Sequence, residues 1–330
     1  MNTTTVKISR CLLPIICLIL LIGCENSVKS TYKFKRDGNP LVKHLFTADP
    51  SARVFNDRLY VYTSHDEDTA TYFNMQDWHV FSTKNLNEWT DHGPIFSLND
   101  IAWADKWAWA PDAIERNGKY YFYYPVERAK IGVAVSDSPT GPFVDKLGKP
   151  LIDNTDQVHE IGPEPIDPGL LIHDNQAYMY FGCRELRVVK LKDNMMEIDG
   201  GIMNIQIKGA ENDKESEGRG WYGEGPWVFE RDGKFYFTYS NGWGKESSIV
   251  YAIGDNPLGP FEYVGRVMDP VNSWTYHGSI TEFQGKWYVF YHDQTLSQNG
   301  FRRSVCFDEI TFDDEGKIIP LKIDYYEKQE

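Results

Sequence analysis

Five short stretches of the chain share one alternation of apolar and polar positions. They are NDRLYVYTS (Asn56–Ser64), NGKYYFYYP (Asn117–Pro125), DNQAYMYFG (Asp174–Gly182), DGKFYFTYS (Asp232–Ser240) and QGKWYVFYH (Gln284–His292). Each opens on a pair of turn residues and continues in aromatic and β-branched residues. Turn residues that tolerate a positive φ, followed by strand formers, predict a β-hairpin. The aligned tyrosines are Tyr60, Tyr121, Tyr178, Tyr236 and Tyr288, at spacings of 61, 57, 58 and 52 residues. A second pattern recurs later in most units, as VFSTKNLNEWTDHG, VAVSDSPTGPFVD and YAIGDNPLGPFEYVG. It reads as a strand, a polar turn and the aromatic start of another strand. Each unit therefore holds about four strands in roughly 55 residues, and long amphipathic helical patterns are nearly absent. Four strands at this period predict an all-β fold, a single-domain five-bladed β-propeller. A β-sandwich would have no reason to repeat its hairpin phrase five times at near-even spacing.

The strands that enter these hairpins begin ADPSARVF (Ala48–Phe55), APDAIER (Ala110–Arg116), IDPGLLIH (Ile166–His173), EGPWVFER (Glu224–Arg231) and HGSITEFQ (His277–Gln284). Their leading polar residues are Asp49, Asp112, Asp167, Glu224 and His277, which lie 11, 9, 11, 12 and 11 residues before the aligned tyrosines. The first strand of each propeller blade lines the central channel, so equivalent starts meet at one end of it. Three or four carboxyls and an imidazole are thus expected around one axis. Like charges resist ionising together, so at least one carboxyl should have a raised pKa. Acid/base chemistry or metal binding is the usual reason for such a cluster. Proline follows Asp49 and Asp167 directly and Glu224 after one residue, which stiffens the backbone there. Asp112 instead follows its proline and is expected to serve structure.

Composition narrows the partners. Of the 330 residues 15% are aromatic, and the formal net charge is −14. Nucleic-acid binding needs a basic face and is not expected; neutral substrates fit more easily. At the N-terminus Lys7 and Arg10 precede the apolar run CLLPIICLILLIGC, Cys11–Cys24. This run is short for a membrane span and reads as a signal-peptide core. Its end, Leu21-Ile22-Gly23-Cys24, resembles a bacterial lipobox, with Cys24 as the lipidated residue; an ordinary secretory signal is the alternative. The expected organisation is a signal peptide over 1–23, a tether over 24–40 and the propeller over 41–330. The expected localisation is secreted and lipid-anchored to a bacterial membrane, with membrane contact through the anchor alone. Of five cysteines only Cys183 and Cys306 belong to the body. They could pair or remain buried thiols.

The motifs ADPS, WAPD, IDP, EGPW, HGS and RRSV, spread from Asp49 to Arg303, resemble glycoside hydrolase family 43, five-bladed propeller enzymes acting on plant cell-wall polysaccharides. The resemblance covers nearly the whole body. It implies an inverting glycosidase with Asp49 as general base, Glu224 as general acid and Asp167 tuning the acid's pKa, roles that suit glycosidase chemistry. The short loops between repeats favour a compact pocket over a long groove, and so exo action. The resemblance implies α-L-arabinofuranosidase or β-D-xylosidase activity on neutral plant-derived oligo- or polysaccharide. The alternatives are a β-galactosidase-type activity on galactan and an inactive glycan-binding propeller. No cofactor is required. His277 resembles a histidine that faces a central calcium or water cluster, so a structural, mostly water-coordinated Ca2+ is an open expectation. Arg303, rather than Arg302, is expected to point inward near the sugar. Trp109 is the candidate sugar platform, with Trp103, Trp107 and Trp221 behind it. Asp66 could reach a sugar hydroxyl. The polar stretch IKGAENDKESEGRGWYGEGP before Glu224 is the expected specificity wall.

Overall fold

The structure, a computed structural model, describes residues 1, 31–155, 164–210 and 221–323. Among the described residues twenty-two strands form five sheets. The first blade holds β1 (Tyr32–Lys35), β2 (Phe46–Phe55), β3 (Arg58–Asp66), β4 (Asp77–Thr83) and β5 (Glu88–Ser97). The second holds β6 (Asp112–Arg116), β7 (Lys119–Val126), β8 (Lys130–Ser136) and β9 (Ile152–Asp153). The third holds β10 (Gly169–His173), β11 (Gln176–Phe181), β12 (Arg187–Leu191) and β13 (Ile198–Asn204). The fourth holds β14 (Ile207–Lys208), β15 (Glu224–Arg231), β16 (Lys234–Ser240), β17 (Ile249–Gly254) and β18 (Phe261–Arg266). The fifth holds β19 (Ser279–Phe283), β20 (Lys286–Asp293), β21 (Ser304–Phe312) and β22 (Ile318–Ile319). Strands β2, β6, β10, β15 and β19 are innermost, each at one edge of its sheet and in contact with its neighbours around the ring. This is the five-bladed propeller that the repeat predicts.

Each hairpin phrase supplies the turn and the second strand of its blade. Its tyrosine pairs across the hairpin with Arg53, Ile114, Leu171, Phe229 or Thr281. The turn residues Asn56, Asn117, Asp174, Asp232 and Gln284 all have positive φ, between 47° and 54° except Gln284 at 55°. The alternating side chains bury both faces of each sheet. Five apolar clusters result, one between each pair of adjacent blades. The blades therefore stack around the axis through their faces, and the functional groups are left to the strand ends.

The expected signal segment and Cys24 lie outside the described residues. The expected tether needs correction at its end: Tyr32–Lys35 is β1, paired antiparallel with β5. Its alternating YKFK lays Tyr32 and Phe34 on the His44 ring, with centroids 4.9 and 5.5 Å away. The chain that follows closes the ring. Leu41 N–H donates to Val305 O at 2.6 Å and Thr47 N–H to Arg303 O at 3.0 Å. The Asn39 side chain donates to Asp308 and accepts from Phe307 N–H. Leu41, Val42, Trp89, Val305 and Phe307 share one apolar cluster across this seam. Among the described residues no strand is exchanged between the first and fifth blades.

Candidate active site

The backbone explains why carboxylates gather at one end of the channel. In the first blade the pair Ala48↔Ser64 is followed by Ser51↔Tyr62, and in the fourth Glu224↔Ser240 is followed by Trp227↔Thr238. Three steps on one strand against two on the other make a β-bulge, which re-aims a side chain. Counting back four residues from each tyrosine's cross-strand partner gives Asp49, Ala110, Asp167, Gly225 and His277. Three of these are left-handed and precede proline: Asp49 (φ 54°), Asp167 (φ 57°) and Gly225 (φ 66°). That conformation costs a non-glycine residue about 1–2 kcal/mol. In the fourth blade glycine takes the bulge, and the acid, Glu224, stands one residue earlier. A Cβ at Gly225 would lie 3.2 Å from His277 Nδ1.

Asp112 stands two residues past this ring and does not line the pocket. Its carboxylate accepts from Ser51, from the Arg53 fork and from Leu170 N–H at 2.7 Å. The Arg53 guanidinium in turn lies 3.9 Å over the Trp227 ring. Asp112 thus ties four blades together at the axis, the structural part expected of it.

Asp49 is buried and held from several sides. Arg303 Nη1 donates to Oδ1 at 2.8 Å and Nη2 to Oδ2 at 3.3 Å. Ser64 Oγ donates to Oδ2 at 2.5 Å. Burial alone would raise this carboxyl, but the Arg303 charge outweighs it and holds the pKa at about 2. The Asp49 backbone N–H donates to His292 Nδ1 at 3.1 Å, and His292 Nε2 meets Thr275 O at 3.0 Å. Burial and the Arg303 charge push His292 down to about 3. It is therefore a neutral imidazole that fixes the backbone of Asp49.

Asp66 sits behind the arginine instead of facing a sugar. It is 1% exposed. It accepts from Arg303 N–H at 2.7 Å, Nε at 3.0 Å and Nη2 at 2.9 Å. The expectation that it reaches a sugar hydroxyl is corrected: Asp66 is buried, and both its oxygens accept from Arg303, orienting the guanidinium that grips Asp49. Arg303 points inward as alternation predicts, while Arg302 bonds Asp68 O and lies over Phe46.

The opposite side of the pocket holds the other two acids. Asp167 is buried, accepts from Gly225 N–H at 3.0 Å and lies 3.6 Å from His277 Nδ1. Burial raises its pKa, against the pull of His277. His277 is pushed down by burial but raised overall by the Asp167 carboxylate. Glu224 is raised well above the ordinary range, first by burial and then by the Asp167 charge, against a hydrogen bond from Trp243. Burial and the Asp167 charge thus favour the protonated form of Glu224, while the Arg303 charge favours the ionised form of Asp49. Among the described residues, His277 joins no trio of histidine, cysteine or carboxylate ligand atoms. A calcium ion there would take most of its ligands from water.

The acids line a cavity of about 490 Å³. Trp109 lines it as predicted, with Trp107 stacked behind at 5.7 Å and its indole N–H on Phe73 O. Trp103 packs instead in the core between the first two blades, and Trp221 is buried against Trp243. The rest of the aromatic wall was not anticipated. Phe73 and Phe301 meet edge to face at 4.9 Å, and Tyr72 and Trp274 flank them. Trp274 is 52% exposed, at the mouth. The Arg303 guanidinium lies 5.0 Å over the Phe73 ring. Across the pocket Glu164 pairs with Arg128 and lies 3.8 Å from Arg184. Cys183 also lines the pocket; it and Cys306 are buried free thiols, and burial raises the thiol of each. Residues 211–220 of the expected specificity wall lie outside the described residues.

Comparison with known proteins identifies the family. The family model described as glycosyl hydrolases family 43 matches residues 38–318. The chain is 38% identical to xylosidase/arabinosidase 43A of Humicola insolens, over 86% of this chain and 99% of that protein. It is 34% identical to a xylosidase/arabinosidase of Bacteroides ovatus, over 87% and 98%. Among solved structures it resembles a β-xylosidase/α-arabinofuranosidase from a compost microbial metagenome, in complex with xylotriose and calcium-free, at a TM-score of 0.79 and 35% identity over 88% of this chain and 99% of that one. A five-bladed ring, the motifs from Asp49 to Arg303 and a family model spanning nearly the whole body agree, and the chain belongs to glycoside hydrolase family 43.

Proposed function

We propose that the protein is an inverting exo-glycosidase that removes terminal β-D-xylose or α-L-arabinofuranose from neutral plant-derived oligosaccharides. One observation carries this reading: a single cavity holds one carboxyl kept ionised at about pKa 2 and another, Glu224, pushed far up. A glycosidase needs that pair, a carboxylate to activate water and a carboxylic acid to protonate the leaving oxygen. Asp49, gripped by Arg303, is the general base. Glu224 is the general acid, its protonated form favoured by burial and then by the Asp167 charge. Inversion requires the two carboxyls to stand about 6.5–9.5 Å apart, leaving room for the water. Trp109 and the Phe73–Trp274 wall supply apolar faces for the sugar. A calcium ion beside His277 would be held mostly through water.

The choice of sugar is supported by relatives named for xylose and arabinose. Activity on galactan and a catalytically dead glycan binder are disfavoured by those names and by the presence of all three acids. A panel of aryl glycosides tests the reading. Release from the β-D-xyloside or α-L-arabinofuranoside is expected; release from the galactoside alone, or silence on the panel and on xylo-oligosaccharides, would overturn it. The lipobox-like sequence supports export and anchoring through Cys24. Cys24→Ser should then move the protein from the membrane to the soluble fraction, and an unchanged membrane fraction would rule the anchor out.

A further inference from the structure

Outside the catalytic cavity the first blade carries a second constellation of titratable groups. His65, Asp77 and His79 bring one ligand atom each within 4.8 Å of one another. His65 Nδ1 lies 2.9 Å from Asp77 Oδ1, and His79 Nε2 lies 3.5 Å from the same oxygen. The two imidazole rings stand 4.8 Å apart, tilted by 59°. Two imidazoles and one carboxylate are a donor set for a borderline divalent metal such as zinc, and a poor one for calcium or magnesium, which want an oxygen cage.

Two further observations point to a ligand here. His79 is nearly buried, yet its Nδ1 makes no hydrogen bond. That atom faces Asp91 Oδ1 at 3.7 Å, while Asp91 is fixed by Gly93 N–H at 2.7 Å and by His44 Nε2 at 2.8 Å. A metal on Nε2 puts the ring proton on Nδ1, aimed at a carboxylate already in place. This is the outer arrangement that orients metal-bound histidines. The side chains of His65 and Asp77 are 20% and 23% exposed, so water can complete the coordination.

We propose that His65, Asp77 and His79 bind one zinc-like divalent ion, with Asp91 as the outer partner of His79. The position gives the ion work to do. His65 stands near the end of β3 and Asp77 begins β4. The connection between them carries Tyr72, Phe73 and Met75 of the catalytic wall. An ion at its base would brace that wall without touching the acids.

The untagged protein, freed of metal with a chelator, is titrated calorimetrically with Zn2+ and separately with Ca2+. One equivalent of Zn2+ should bind. His65→Gln and Asp77→Asn, both at partly exposed positions, should each lower the affinity at least tenfold, and Asp91→Asn by about tenfold. Circular dichroism melts establish that each variant is folded. Ca2+ should not compete for the site. The inference fails if the wild-type chain binds no Zn2+, if His65→Gln and Asp77→Asn bind it as tightly as the wild type, or if Ca2+ displaces it stoichiometrically.

Discussion

Replacing Arg303 with Gln tests the electrostatic core of the proposed mechanism. The guanidinium makes two hydrogen bonds to Asp49 and holds its carboxyl at about pKa 2, although burial pushes the other way. Once that charge is gone, burial raises Asp49 to at least its ordinary 3.8. The change is about two units, or about 2.5 kcal/mol. The assay is kcat/KM against pH on an aryl xyloside or arabinofuranoside. An aryl leaving group needs little protonation, so the acidic limb reports the base and not Glu224. The wild-type limb should lie near pH 2–3, and that of R303Q about two units higher. The sign follows from the depressed pKa: Asp49 contributes stability above its unfolded pKa of about 3.9 that is lost as pH falls through about 2. R303Q also strands two buried carboxylates, at a cost of about 3–5 kcal/mol in stability. R303K keeps the charge without the fork, so it should stay better folded with a smaller displacement of the limb. If folded R303Q shows an acidic limb within a few tenths of a unit of wild type, Arg303 does not set the ionisation of the base and the argument fails.

Three other outcomes follow from the site. Glu224→Gln should lower kcat/KM on unactivated xylo-oligosaccharides by about 10²–10⁴-fold and on aryl glycosides far less; equal losses on both would contradict an acid role. Asp167→Asn removes the negative charge that helps raise Glu224, so the basic limb of the pH profile should move to lower pH, and a limb that stays or rises would refute the coupling. Trp274→Ala removes the exposed lip of the aromatic wall and should raise KM about fivefold, for about 1 kcal/mol of aromatic contact, with kcat little changed; a matching fall in kcat would place Trp274 closer to the reacting bond.

The propeller was legible because each blade repeats its hairpin, and a repeat is visible without any knowledge of distant contacts. The same ruler found Asp49, Asp167 and His277, since one register ties each to its tyrosine. It also marked the two departures. Glu224 is off by one because glycine occupies the bulge, and Asp112 is off by two because it belongs to the axial hub. Asp66 was misread because its role depends on Arg303, 237 residues away, meeting it across the ring seam. The aromatic wall and the Glu164–Arg128 pair lie outside the repeated strands, where no periodicity assigns a direction. A faint signal did exist: Trp274 precedes the HGS motif by three residues and Phe301 immediately precedes RRSV.

The seam between the first and fifth blades has a further consequence. Asp49 enters near the start of the folded chain and Arg303 near its end, so they face each other only after the circle has shut. A chain released early, or one whose fifth blade has peeled away, keeps the cavity-lining aromatics Trp109 and Phe73 but lacks the Arg303 grip on Asp49, the proposed base. Such a species would hold glycan without hydrolysing it. Turnover in this architecture therefore certifies complete assembly, and an activity assay counts molecules that have finished folding more stringently than any measure of strand content.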